Sequence, residues 1–181
     1  SVDPSSGVRF EFAGPMAPGS FGKEAITVLP KPTQVYTYYN ESETYLYLDF
    51  YKAPDTDYSV TLSGKAADPY GNTLGEDYVL RFRTRGLDPI LQLNNQTLVG
   101  TYNAYTGTQA VVLYRNLPEV RFDLFSVTPD EFLTLTGGEF WQKWESFQPK
   151  QENRIRAWTR PGKAARNRVG YMREPLLAAD E

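Results

Sequence analysis

Three stretches of the sequence combine residue types and spacings that could carry chemistry. Asp68-Pro-Tyr-Gly-Asn-Thr-Leu-Gly-Glu-Asp77 gathers Asp68, Asn72, Glu76 and Asp77, an oxygen-rich set that could hold calcium. A calcium loop of the EF-hand kind wants ligands at alternate positions ahead of its glycine. Here the third position is Tyr70, and Asn72 follows the glycine. A chain reversal accounts for more of the stretch. Pro69 presets φ, Gly71 and Asn72 tolerate positive φ, and Asp68 can accept bonds from the turn amides. The second stretch, Gly14 to Lys23, has the glycines of a phosphate loop. However, Ser20 follows Gly19 where a phosphate loop needs Lys, and its prolines remove amides a phosphate would use. Ser20-Phe-Gly-Lys23 also has Ser-x-x-Lys spacing, without the Ser-Asp-Asn or Lys-Thr-Gly companions that an acyl-transfer site requires. The third feature is a set of tyrosines. Tyr45, Tyr47 and Tyr51, joined by Tyr36 and Tyr38, could stack on sugars or meet a protein partner.

Composition removes most other chemistry. The chain has no Cys and no His, which excludes thiolate nucleophiles, disulfides, imidazole bases and zinc held by either residue. Acid–base work would fall to Asp, Glu, Lys or Tyr, and 22 acidic residues are too many to single out a pair. No catalytic, cofactor-binding or metal-binding residue is assigned, and no cofactor is implied. A net charge of −3 gives no global support for binding nucleic acid or an anionic membrane. Residues 160–173 are basic, with Arg160, Lys163, Arg166, Arg168 and Arg173, and read as a solvated linker or strand edge. No apolar run approaches the roughly 20 residues that span a bilayer. The chain opens with Ser, carries no signal peptide, and reads as a segment of a longer protein.

The elements that would position these residues are strands. Short runs rich in Val, Ile, Thr, Tyr and Phe recur between Gly, Pro, Asn and Asp clusters, the pattern of an all-β sandwich. Leu46, Leu48 and Phe50 alternate with Tyr45, Tyr47 and Asp49, which sends the aliphatic set to a core and the tyrosines outward. Val8-Phe10-Phe12, Tyr58-Val60-Leu62 and Tyr78-Leu80-Phe82 follow the same rule. Residues 25–29, and a hairpin of 34–39 with 44–51, complete a first series. Charge, Gly and Pro at residues 83–89 then mark a boundary between domains 1–86 and 89–181. A second series is expected at 90–94, 98–104, 109–115, 120–127, 154–159 and 167–173. Thr128-Pro-Asp-Glu131 reads as a capped helix start running to Gly137, and residues 139–147 as a second short helix. Trp141, Trp144 and Trp158 are expected in core or interface packing.

Residues 55–84, DTDYSVTLSGKAADPYGNTLGEDYVLRFRT, resemble the closing half of a bacterial immunoglobulin-like domain. Tyr58, Val60, Leu62, Gly64, Asp68, Tyr70, Gly71, Asn72, Phe82 and Thr84 carry the likeness, with Val8 to Phe12 and Pro15-Met16 matching an earlier strand and turn. Residues 98–127, with Asn116-Leu-Pro-Glu-Val120, resemble the strand pairs opening a macroglobulin-type domain of bacterial alpha-2-macroglobulin-like proteins. The resemblance implies two β-sandwich domains, the second with a helical insertion around 129–147. It implies a non-catalytic structural segment of a protease-trapping protein, exported to the periplasm or cell surface. Its partners would be neighbouring domains of the same longer chain, with proteases engaged through the whole protein. The alternative is an adhesion or carbohydrate-binding module that uses the tyrosine face. The resemblance also implies that the second sandwich lacks its final strand beyond Glu181, so that residues 160–181 are mobile or pair with a neighbouring molecule.

Overall fold

The computed structural model describes the chain apart from Lys23, Glu41, Glu43, residues 95–104, Thr106, Glu139 and residues 178–181, and apart from the side chains of Phe140 and Trp141. The architecture is all-β, and it divides into two compact units, Ser1–Leu87 and Asp88–Glu181.

The first unit packs two three-stranded antiparallel sheets. One has the order β1 (Val8–Glu11), β4 (Tyr45–Phe50), β3 (Val35–Asn40); the other has β2 (Ile26–Leu29), β5 (Asp57–Leu62), β6 (Tyr78–Arg83). Alternation decides the core. Leu46, Leu48 and Phe50 from β4 meet Tyr58, Val60 and Leu62 from β5, with Val8, Phe10 and Val28 from the flanking strands. Three hydrogen-bonded contacts tie the loops down. The Tyr58 hydroxyl accepts from the Ala53 amide at 2.8 Å, fixing the corner that leads into β5 in the manner of immunoglobulin-type sandwiches. Buried Thr84 donates its hydroxyl to the Ala53 carbonyl at 2.6 Å and accepts from the Thr56 amide at 2.9 Å. Val2 runs parallel to Thr84, its amide donating to the Arg83 carbonyl at 2.9 Å. Strand β6 departs from the expected alternation. Tyr78 is exposed, and Leu80 and Phe82 are only half-buried, because β6 is an edge strand with cover on one flank. Tyr78 instead meets Phe10 edge-on, with ring centroids 5.9 Å apart.

The second unit has a sheet of order β11 (Gly170–Leu177), β8 (Thr108–Arg115), β7 (Ile90–Leu93), and a hairpin-like pair of β9 (Glu119–Phe125) with β10 (Arg154–Pro161). Its core is smaller: Val112, Tyr114, Val120 and Met172, flanked by Leu117, Phe122 and Ala164. A polar cluster extends it. Trp158 stacks on Phe122 at 5.1 Å and carries the Arg156 guanidinium on its ring at 4.0 Å. The Trp158 indole donates to buried Glu174 at 2.9 Å, and Arg160 reaches the same carboxylate at 3.0 Å. Between β9 and β10 stand α1 (Pro129–Thr136) and α2 (Phe140–Ser146). The Glu131 amide donates to the Thr128 hydroxyl at 3.2 Å while the Thr128 amide donates to the Glu131 carboxylate at 2.8 Å, a reciprocal cap. Half-buried Trp144 meets Phe147 edge-on, and Trp141 lies outside the described side chains. The strand expected at 98–104 also lies outside the described residues. The strand expected at 167–173 runs as Gly170–Leu177. Gly170–Leu177 is tied to β8 along its length, with one irregularity between Pro175 and Leu177, so this part of 160–181 belongs to the sheet.

Candidate functional site

The tyrosines are brought together on the outer face of the sheet β1-β4-β3. Tyr47 lies directly between Arg9 on β1 and Tyr38 on β3, Tyr45 between Glu11 and Asn40, and Asp49 opposite Tyr36. The period of two that buries Leu46 and Leu48 forces this row outward. The tyrosines are not equivalent. Arg9 sits over the Tyr45 ring at 4.1 Å from its centroid and also pairs with Glu11 at 3.1 Å, so Tyr45 is covered. Tyr51 lies one residue beyond β4 and is 81% exposed, outside the row. The phenol end of Tyr47 packs against the backbone at Gly7, where a Cβ would stand 2.1 Å from the Tyr47 Cζ. Tyr47 stays 39% exposed, beside the exposed Tyr38 and Tyr36 of β3. Tyr36, Tyr38 and Tyr47 thus lie exposed beside one another on this face. All three are among the five tyrosines that the sequence singles out, while Tyr45 is covered by Arg9 and Tyr51 lies beyond the row.

Such a face can stack on flat apolar surfaces and exchange hydrogen bonds through phenol hydroxyls. The carboxylates held below their ordinary range lie elsewhere, and each is explained locally. Asp3 is lowered to about 2 by the hydroxyl and amide of Ser5, with Arg85 assisting. Asp68 is lowered first by the Asn72 side chain, then by the amides of its own turn. Glu131 is lowered by the amide and hydroxyl of Thr128 that it caps. Asp68 is thus a turn residue. One of its oxygens accepts from the amides of Tyr70 and Asn72 at 2.8 and 2.9 Å, the other accepts from the Asn72 side chain, and Gly71 takes the positive φ of 91°. Among the described residues no group of three or more acidic side chains is placed to hold a metal.

Two features escaped the sequence pattern. Lys52 is buried, donating to the Phe50 carbonyl at 2.9 Å and lying 4.3 Å from the Phe50 ring centroid. Glu174 is buried under Trp158 and Arg160. Both are charged residues where hydropathy expects solvent, and only the fold reveals their partners.

Two three-stranded sheets, a tyrosine corner and a parallel N-terminal bridge define the first unit as an immunoglobulin-like sandwich, and residues 1–84 match the bacterial Ig-like domain family. The chain as a whole has the fold of a stretch of Salmonella alpha-2-macroglobulin. It aligns with the methylamine-reacted form at a TM-score of 0.67 and 17% identity, over 97% of this chain and 11% of that one. A mutant of the Salmonella protein aligns at 0.65 and 17% identity, with the same coverage. A crystal structure of Escherichia coli alpha-2-macroglobulin spanning domains MG0-NIE-MG1 aligns at 0.45 and 18% identity, over 97% of this chain and 57% of that one. No curated protein matches the sequence.

Proposed function

We propose that the chain is a non-catalytic structural segment of a bacterial alpha-2-macroglobulin-like protein, exported to the periplasm or cell surface, whose whole assembly traps proteases. The observation that carries this reading is the shared fold: 97% of the chain, both units included, aligns with the Salmonella protein at a TM-score of 0.67. The second unit then corresponds to a macroglobulin-type domain. The chemistry agrees. The carboxylates with lowered pKa are committed to turns and a cap, and the sequence offers neither imidazole nor thiol. In this role the segment supplies shape and contact surface to neighbouring domains. The test is a hydrolase panel of glycosides, esters, phosphate esters and peptides applied to the 181-residue chain. No turnover above the buffer blank is expected, and turnover that survives repurification would overturn the reading.

A second reading has one observation in its favour. Tyr36, Tyr38 and Tyr47 lie exposed and adjacent on one sheet face, as a sugar-stacking platform requires. It predicts glycan-array binding that is lost in Tyr47→Ala, and an empty array would remove it.

A further inference from the structure

Strand β1 is an edge. Among the described residues it pairs with β4 and has no strand on its other flank. The Phe12 amide donates to the Thr44 carbonyl at 2.9 Å, so the backbone groups of Phe12, Phe10 and Val8 face β4, and those of Arg9 and Glu11 face away. Edge strand β6 of the other sheet lies across a groove of about 390 Å³, floored by Phe10, Phe12, Leu62 and Leu80. The groove and the unpaired backbone together make a site that an additional strand would cover.

Edge strands are commonly guarded by charges that repel a copy of themselves. The charges on β1 do the reverse. Arg9 and Glu11 are two residues apart, share the outer face and are opposite in sign, with side chains 51% and 71% exposed. When two such strands run antiparallel about a two-fold axis at Phe10, Arg9 stands opposite the partner's Glu11, and Glu11 opposite the partner's Arg9. These same two positions carry the outward backbone groups. The charge pairs and the doubly hydrogen-bonded pairs therefore coincide, with Phe10 at the non-bonded position between them. The other free edge of this sheet, β3, reads Val-Tyr-Thr-Tyr-Tyr-Asn and has no charge to fix such a register.

We infer that β1 is a homodimerisation edge: two copies of the chain join β1 to β1, forming a continuous six-stranded sheet and covering the groove against β6. The inference is independent of the protease-trap reading, since it rests on the register of one strand.

Sedimentation velocity across a concentration series tests it. A contact this short is expected to be weak, with a Kd of about 10⁻⁴ M, so dimer should grow in as protein rises through about 0.1 mM. Arg9→Glu and Glu11→Arg place like charges opposite one another, and each should weaken association by about tenfold or more. An equimolar mixture of the two variants should restore it, because each like-charged strand then meets its opposite. Both positions are exposed, and circular dichroism of each variant verifies the fold. Amide exchange at Arg9 and Glu11 should slow with rising protein concentration in the unmodified chain. A chain that stays monomeric at millimolar concentration would overturn the inference. So would a dimer that survives both single variants and gains nothing from mixing them.

Discussion

Gly64→Ala puts the packing of the first unit to its hardest test. A Cβ at Gly64 would stand 2.5 Å from the Glu76 carbonyl carbon, 2.7 Å from its Cα and 2.8 Å from its nitrogen. These are backbone atoms, so the clash cannot be relieved by rotating a side chain. Separating them to ordinary contact requires the Glu76 segment to move by about 1 Å, since core packing leaves few voids to absorb it. The movement also pulls on two hydrogen bonds: the Gly64 amide donates to Asp77 at 2.8 Å, and the Gly75 amide donates to the Gly64 carbonyl at 3.0 Å. Overpacking of this kind costs about 1–3 kcal/mol, and weakening one hydrogen bond adds about 1 kcal/mol. The expected loss is about 2–4 kcal/mol, a fall in Tm on the order of 10–20 °C for a unit of this size. Chemical denaturation followed by tyrosine fluorescence measures it. Gly14→Ala is the control, because nothing lies within 4 Å of a Cβ there. A Gly64→Ala protein within about 0.5 kcal/mol of the parent, the range of neutral surface changes, would refute the close approach of residues 64 and 76.

Glu174→Ala leaves the Trp158 indole and the Arg160 guanidinium without their shared acceptor and should cost the second unit about 2 kcal/mol, with Glu174→Gln costing less because its amide oxygen still accepts. Thr128→Ala removes the reciprocal cap of α1 and should cost about 1 kcal/mol, read as reduced helicity and earlier unfolding of the second unit. Stability should also fall in acid. The folded pKa of Asp3 is depressed from 3.8 to about 2, so its contribution is present above 3.8 and lost as pH falls toward 2. Asp68 and Glu131 are depressed likewise and act in the same direction. Asp3→Asn should therefore flatten the loss of Tm between pH 4 and pH 2, and an unchanged slope would contradict the Ser5 and Arg85 contacts.

What was legible in the sequence is what short-range rules govern. Leu46, Leu48 and Phe50 announce their own burial, because a period of two needs no knowledge of neighbours. Thr128-Pro-Asp-Glu131 announces its cap, because donor and acceptor lie three residues apart. Asp68 to Asn72 could be read as a turn for the same reason. Properties set by register were hidden. Tyr45 and Tyr47 look alike in the sequence, yet one lies beneath Arg9 and the other against Gly7, partners from β1 and the residue just before it, more than thirty residues earlier. Tyr78 shows the same limit, since alternation places it on the core face with Leu80 and Phe82 while its exposure follows from the order of strands in the sheet. Glu174 is hidden more deeply. Within Gly-Tyr-Met-Arg-Glu-Pro it shares the buried face with Met172, and only a tryptophan and an arginine from another strand make that burial tolerable.

The proposed role is that of a structural part of a protease-trapping protein. Protease capture measures that most directly. The whole protein containing this segment is mixed with a panel of endoproteases of differing specificity, and complexes are separated by size-exclusion chromatography with the protease labelled. The account predicts that the whole protein carries labelled protease into the high-mass fraction across several specificities, while the 181-residue chain alone carries none and cleaves nothing. Failure of the whole protein to retain any protease, or capture by the isolated chain through its tyrosine face, would contradict it.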